Sequence, residues 1–176
     1  MAMSVLAFFM GASLGSFLNV VADRLPRGQS LLHPPSHCPA CGRCLTPLEL
    51  VPVLSYLALR GKCYRCRSRI PVRVLGVELL MGWLALYLWQ TSALSVPSLV
   101  ILGYASLFLL LAAIDLEHGI IPNALVYAGI GLSLLLAPWW WDLGLERELL
   151  GNTGRAHVLL GSLGGGAIGA GLFTLV

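Results

Sequence analysis

The chain has 176 residues, of which 57% are hydrophobic and 11% charged, with a formal net charge of +3 and a mean hydropathy of +0.84. A soluble domain carries about 25% charged residues, so the composition excludes a soluble globular fold and indicates a polytopic membrane protein. The small positive charge does not mark a nucleic-acid binder, because membrane topology and anionic lipid headgroups account for it.

A bilayer takes roughly 20 apolar residues per helix, and stretches of that kind fall at residues 3–22, 74–93, 96–114, 120–141 and 156–176. The expected fold is an all-α polytopic membrane protein of about five transmembrane helices, with a small zinc-ribbon-like cytoplasmic loop between the first two. The organisation expected is a first helix over 1–22, a cysteine-rich loop over 23–73 and helices two to five over 74–176. Val20-Val21-Ala22 has the small-residue spacing of a signal-peptidase site. No basic residue precedes the apolar run, however, and the basic loop that follows opposes export. A membrane anchor is the reading retained.

Nine of the 11 basic residues lie between Arg24 and Arg73. Cytoplasmic loops retain Lys and Arg, which puts this loop inside, the N-terminus outside, and the connection DLEHG at Asp115 to Gly119 back inside.

The basic loop holds HCPACGRC at His37 to Cys44 and KCYRC at Lys62 to Cys66. Cys38 with Cys41 and Cys63 with Cys66 form two C-x-x-C pairs separated by 21 residues, close to the spacing of a four-thiolate zinc ribbon. Each pair lets two thiolates grip one ion from a single turn, and four complete a tetrahedron with no position open to water, a structural rather than a catalytic site. Disulfides or unliganded thiols are the competing reading. Cys44 forms a second possible pair with Cys41, and His37 could replace a thiolate, so the ligand set is open at these two positions.

Between the pairs, LTPLELVPVLSYLALRGK is apolar and punctuated by proline, fit for a short helix on the ribbon or on the membrane surface. Glu78 falls about one turn inside the second span. A carboxylate there is a functional candidate, and pairing with Arg73 is the structural alternative. In LAAIDLEHGIIPNAL, Asp115, Glu117 and His118 interrupt a long apolar run, either as a polar turn between helices or as a site. Asp115, at the end of an apolar helix, is the carboxylate placed to activate water. The late segment LLGSLGGGAIGAG lacks the lysine and the preceding strand of a phosphate loop. Its glycines suit close helix packing in a membrane.

The segment GASLGSFLNVVADRLPRG at Gly11 to Gly28, HCPACG, SYLALRGKCYRC at Ser55 to Cys66, VELL at Val77 to Leu80 and DLEHGIIPN at Asp115 to Asn123 together resemble, in order, the type IV prepilin leader peptidases. The resemblance implies a bifunctional enzyme of the bacterial inner membrane. It would cleave the leader of type IV prepilins or type II secretion pseudopilins as an aspartic peptidase and methylate the new N-terminus with S-adenosylmethionine. Asp115 matches the first catalytic aspartate. The second belongs, in the family, to a Gly-x-Gly-Asp motif that these 176 residues do not contain. The expectation is therefore the N-terminal part of the peptidase domain, with a methyltransferase remnant or a non-catalytic membrane adaptor of the pilus or secretion machinery as alternatives.

Overall fold

A computed structural model describes residues 2–93 and 95–136. The described residues form five α-helices and no strands: α1 (Ala2–Arg24), α2 (Leu54–Ala58), α3 (Val72–Ser92), α4 (Val96–His118) and α5 (Asn123–Leu136). The chain divides into two compact units, one ending at Leu125 and the other beginning at Val126. The first unit holds the cysteine loop, α1 to α4 and the start of α5.

Helices α1, α3 and α4 are long and apolar enough to cross a membrane. They match the first three apolar segments of the sequence to within a few residues. The expected fifth segment, and the fourth beyond Leu136, lie outside the described residues. All three long helices are apolar around most of their circumference. Phe17, Leu80, Trp83 and Phe108 stay exposed on them, as suits helices whose outer faces meet lipid.

The core is formed by Leu18, Val21, Ala22, Val77, Met81, Leu110, Ala113 and Ile114, contributed by α1, α3 and α4. The closest approach is between α1 and α3, at Gly11 and Gly15. A Cβ on Gly11 would collide with the Met81 carbonyl oxygen, and one on Gly15 would stand 2.8 Å from that of Val77. These two glycines form a G-x-x-x-G pair, whose missing side chains let backbones meet in a membrane. Asn19, one turn further along α1, crosses the same contact: its Nδ2 donates to the Val74 carbonyl at 3.1 Å and to that of Gly15 at 3.2 Å. Val21 and Ala22 are buried in this packed helix, so the signal-peptidase spacing lies inside the core.

Helix α3 starts directly after Pro71, and α4 starts after Ser95 with Pro97 in its first turn, where a missing N–H is tolerated. Helix α4 ends at Gly119, whose φ of 61° closes the helix and whose N–H donates to the Asp115 carbonyl at 2.8 Å. Asp115, Glu117 and His118 therefore occupy the last turn of α4. The polar turn considered between the helices is helical up to His118.

Candidate functional site: a four-cysteine centre and an acidic helix end

The two C-x-x-C pairs fold as two turns of matching backbone. In the first, Cys38 N–H donates to the Arg43 carbonyl and Gly42 N–H to that of Cys38, each at 2.9 Å. In the second, Cys63 N–H donates to Ser68 at 2.9 Å and Arg67 N–H to Cys63 at 3.1 Å. Antiparallel bridges His37–Cys44 and Lys62–Arg69 close them at the same offset. This repeated turn aims both thiols of each pair inward. The sulfurs of Cys38, Cys41, Cys63 and Cys66 all lie within 4.8 Å of one another, an arrangement that could hold a metal ion.

Cys44 and His37, the two positions the sequence left open, stand apart from this group of four. Cys44 is exposed and outside the cluster, its backbone engaged in the bridge to His37. His37 Nδ1 lies 3.0 Å from the Pro35 carbonyl oxygen. Neither joins the four sulfurs.

Electrostatically the cluster favours the thiolate at Cys38 and Cys66 and resists it at Cys41. The Ser68 hydroxyl, 3.5 Å from Cys38 Sγ and 3.1 Å from Cys66 Sγ, lowers Cys38 to about 6 against the opposing effect of burial, and lowers Cys66 as well. At Cys41 a hydrogen bond from the Arg43 backbone acts downward, but burial and the neighbouring Cys66 and Cys38 push the thiol up to about 11. A divalent cation relieves the repulsion among such thiolates.

The segment between the pairs is anchored at both ends. The Arg43 guanidinium pairs with Glu49, which also accepts from the Thr46 N–H and hydroxyl at 2.9 Å, capping a short 3-10 turn at Pro47–Leu50. That partnership, Arg43 first, holds the Glu49 carboxyl down at about 2. At the other end Val53 is buried with φ 63° and ψ −53°, in a tight turn closed by Leu54 N–H to the Pro52 carbonyl at 2.6 Å. A β-branched residue rarely adopts this conformation. It is held because the Val53 N–H donates to Glu78 Oε2 at 2.7 Å. Glu78, 4% exposed on α3, thus binds the loop and not Arg73.

Arg73 has other partners. Its Nη2 donates to Asp23 Oδ1 of α1 at 2.6 Å, and its Nε lies 2.7 Å from Glu117 Oε1 of α4. The second contact is a charge pair without the alignment of a hydrogen bond. The end of α1, the start of α3 and the end of α4 are thereby gathered at one end of the bundle, beside the cysteine loop. Asp115, two residues before Glu117, lies at this end and is exposed. The sequence reading missed Asp23 and Ser68. Asp23 carried a signal, being an acidic residue at the end of an apolar helix in a basic loop; Ser68 carried none.

Residues 9–91 match the family described as the Bacterial Peptidase A24 N-terminal domain. Over 168 residues the chain is 32% identical to the prepilin leader peptidase/N-methyltransferase of Bacillus subtilis, a match covering 92% of this chain and 68% of that protein. The chain belongs to the prepilin leader peptidase/N-methyltransferase family. It is also 42% identical over 146 residues to the Myxococcus xanthus protein of that name, covering 81% of this chain and 42% of the relative. For the Pseudomonas putida protein of that name the identity is 37% over 154 residues, covering 74% and 53%. The chain thus spans about half the length of several curated relatives it matches. No solved structure matches it. Within this peptidase family, the N-terminal domain match takes in both cysteine pairs, Arg73 and Glu78.

Proposed function

We propose that this chain carries the first catalytic carboxylate, Asp115, of a membrane aspartic peptidase that removes the leader of type IV prepilins or type II secretion pseudopilins. The mature N-terminus is then methylated with S-adenosylmethionine. The enzyme sits in the bacterial inner membrane with its cysteine loop on the cytoplasmic side. The observation that carries the reading is the pairing of Arg73 with Asp23 and Glu117, which sets the last turn of α4 at the same end of the bundle as the loop.

In an aspartic peptidase one ionised carboxylate takes a proton from water while a protonated one polarises the scissile carbonyl. Asp115 takes the first role. Its place in the last helical turn leaves the side chain open to water, and the Gly119 N–H, donating to the Asp115 carbonyl, holds that turn in place. In the family the resemblance points to, the second carboxylate belongs to a Gly-x-Gly-Asp motif.

Zinc suits the four cysteines. The Cys38 and Cys66 sulfurs are 3.7 Å apart, near the edge of about 3.8 Å that Zn–S bonds of about 2.3 Å give a tetrahedron. Four thiolates leave no site for water, so the ion shapes the loop and does not act on substrate. S-adenosylmethionine carries ribose hydroxyls that a carboxylate commonly holds. The cleft at Ala58–Arg60, Lys62, Tyr64 and Arg67 contains none and does not fit it.

The test is cleavage of a model prepilin by membranes containing this protein or its Asp115→Ala variant. Cleavage by the unmodified protein that is lost in the variant supports the role of Asp115, with the second carboxylate found within these residues or across a dimer. Cleavage that survives removes Asp115 from the mechanism, and none by either protein leaves a peptidase part that needs the second aspartate, or the non-catalytic adaptor.

A further inference from the structure

A cleft of about 380 Å³ lies between the end of α2 and the second cysteine turn, lined by Ala58, Leu59, Arg60, Lys62, Tyr64 and Arg67. It belongs neither to the sulfur cluster nor to the acidic helix end. Three cations converge on it with no acidic residue in its lining, and none of the three takes part in an ion pair among the described residues. Their mutual repulsion is relieved by an anion.

Arg60 and Arg67 both have left-handed backbones, with φ of 54° and 61°, a conformation that costs a residue with a Cβ about 1–2 kcal/mol. Arg67 occupies the position in the second cysteine turn that Gly42, φ 68°, occupies in the first. Glycine would serve the fold better at 67. The arginine side chain is thus not what the turn requires, and strained residues of this kind collect at binding sites.

Location and surroundings select the anion. The Ile70 N–H donates to the Gly61 carbonyl at 2.8 Å, so the wall of the cleft is tied to the segment that enters membrane helix α3 at Val72. The cleft therefore lies on the segment that leads directly into α3, a helix long and apolar enough to cross a membrane. On α2, which leads into the cleft, Leu54 and Leu57 are 53% and 58% exposed, and Tyr64 in the lining is 68% exposed. Exposed leucines and an aromatic beside Arg and Lys form the pattern of a segment lying in the headgroup layer. A soluble anion has no use for such a rim.

We propose that this cleft binds the phosphate of an anionic phospholipid headgroup through Arg60, Lys62 and Arg67, with Leu54, Leu57 and Tyr64 set against the glycerol and upper acyl region. Bound lipid holds the cysteine loop down on the membrane face. The proposal does not depend on the peptidase reading.

The test uses the intact protein in nanodiscs of phosphatidylcholine with a minority of phosphatidylglycerol, and counts retained phosphatidylglycerol by native mass spectrometry. Arg67→Gly and Lys62→Gln should each lower retention about fivefold, as removal of one surface cation does, with metal content unchanged. Arg67→Gly should also leave the unfolding temperature equal or higher. Retention equal to wild type in both variants overturns the proposal. Should Arg67→Gly fail to fold, Lys62→Gln decides alone, since Lys62 has no positive φ and is exposed. Displacement of phosphatidylglycerol by millimolar inorganic phosphate assigns the cleft to free anions instead, and displacement by an acidic peptide assigns it to protein. Either result rejects the lipid.

Discussion

Arg73 Nε lies 2.7 Å from Glu117 Oε1, joining the first turn of α3 to the last turn of α4. The same guanidinium reaches Asp23 at the end of α1. Arg73 follows the second cysteine pair by only seven residues, so a change in the loop has a short path to the acidic helix end. Both acidic partners are partly exposed, which limits each pair to about 1 kcal/mol. Arg73→Gln and Glu117→Gln should each lower thermal stability in detergent, and the double variant should fall short of their sum by about 0.5–1 kcal/mol. Additive effects would show that the pair is not formed in solution.

The Glu78 carboxylate satisfies the buried N–H of Val53. Glu78→Ala strands that donor and should cost about 1–3 kcal/mol, whereas Glu78→Gln retains an acceptor and should cost less. Limited proteolysis of the segment between the cysteine pairs reads the difference directly. Faster cutting in the alanine variant alone is the expected result, and equal cutting in both variants would mean that the bond does not hold the loop.

Gly15 and Gly76 make a matched pair for testing the helix contact. A methyl at Gly15 meets the Val77 carbonyl at 2.8 Å, while one at Gly76 meets nothing within 4 Å. Gly15→Ala should destabilise by about 1–3 kcal/mol, and Gly76→Ala should be neutral or stabilising by up to about 1 kcal/mol. Thermal melts in one detergent compare them. Equal melting temperatures would mean that α1 and α3 do not touch at Gly15.

The four clustered sulfurs and the outlying Cys44 predict an all-or-none metal stoichiometry. Protein purified without chelator should hold one metal equivalent by elemental analysis. Cys44→Ser should keep it and Cys63→Ser should lose most of it. Loss in both variants would widen the ligand set to Cys44.

Glu49 supplies a pH marker for the loop. Arg43 and the Thr46 donors hold its carboxyl at about 2. A lowered carboxyl favours the fold above its unfolded value, near 4.3, and that contribution fades as pH falls toward 2. A carbon-detected titration should therefore find Glu49 ionised at pH 3, and Arg43→Gln should move its midpoint upward. A midpoint near 4.3 in the unmodified protein would mean that the Arg43 pair is absent.

The sequence by itself determined the solvent and the local units. In lipid every backbone group must be paired within its own segment, so length and apolarity were enough to mark the first three helices. A C-x-x-C turn is likewise complete within a few residues, so both cysteine pairs could be read directly. Tertiary structure decided the partners. Glu78 is bound by Val53 and Arg73 by Asp23 and Glu117, across separations in the chain that no periodicity encodes. These pairings depend on how α1 and α3 are rotated against each other at Gly11 and Gly15. That rotation follows from which side chains are small enough to let two backbones touch, and it becomes definite only once the helices are packed.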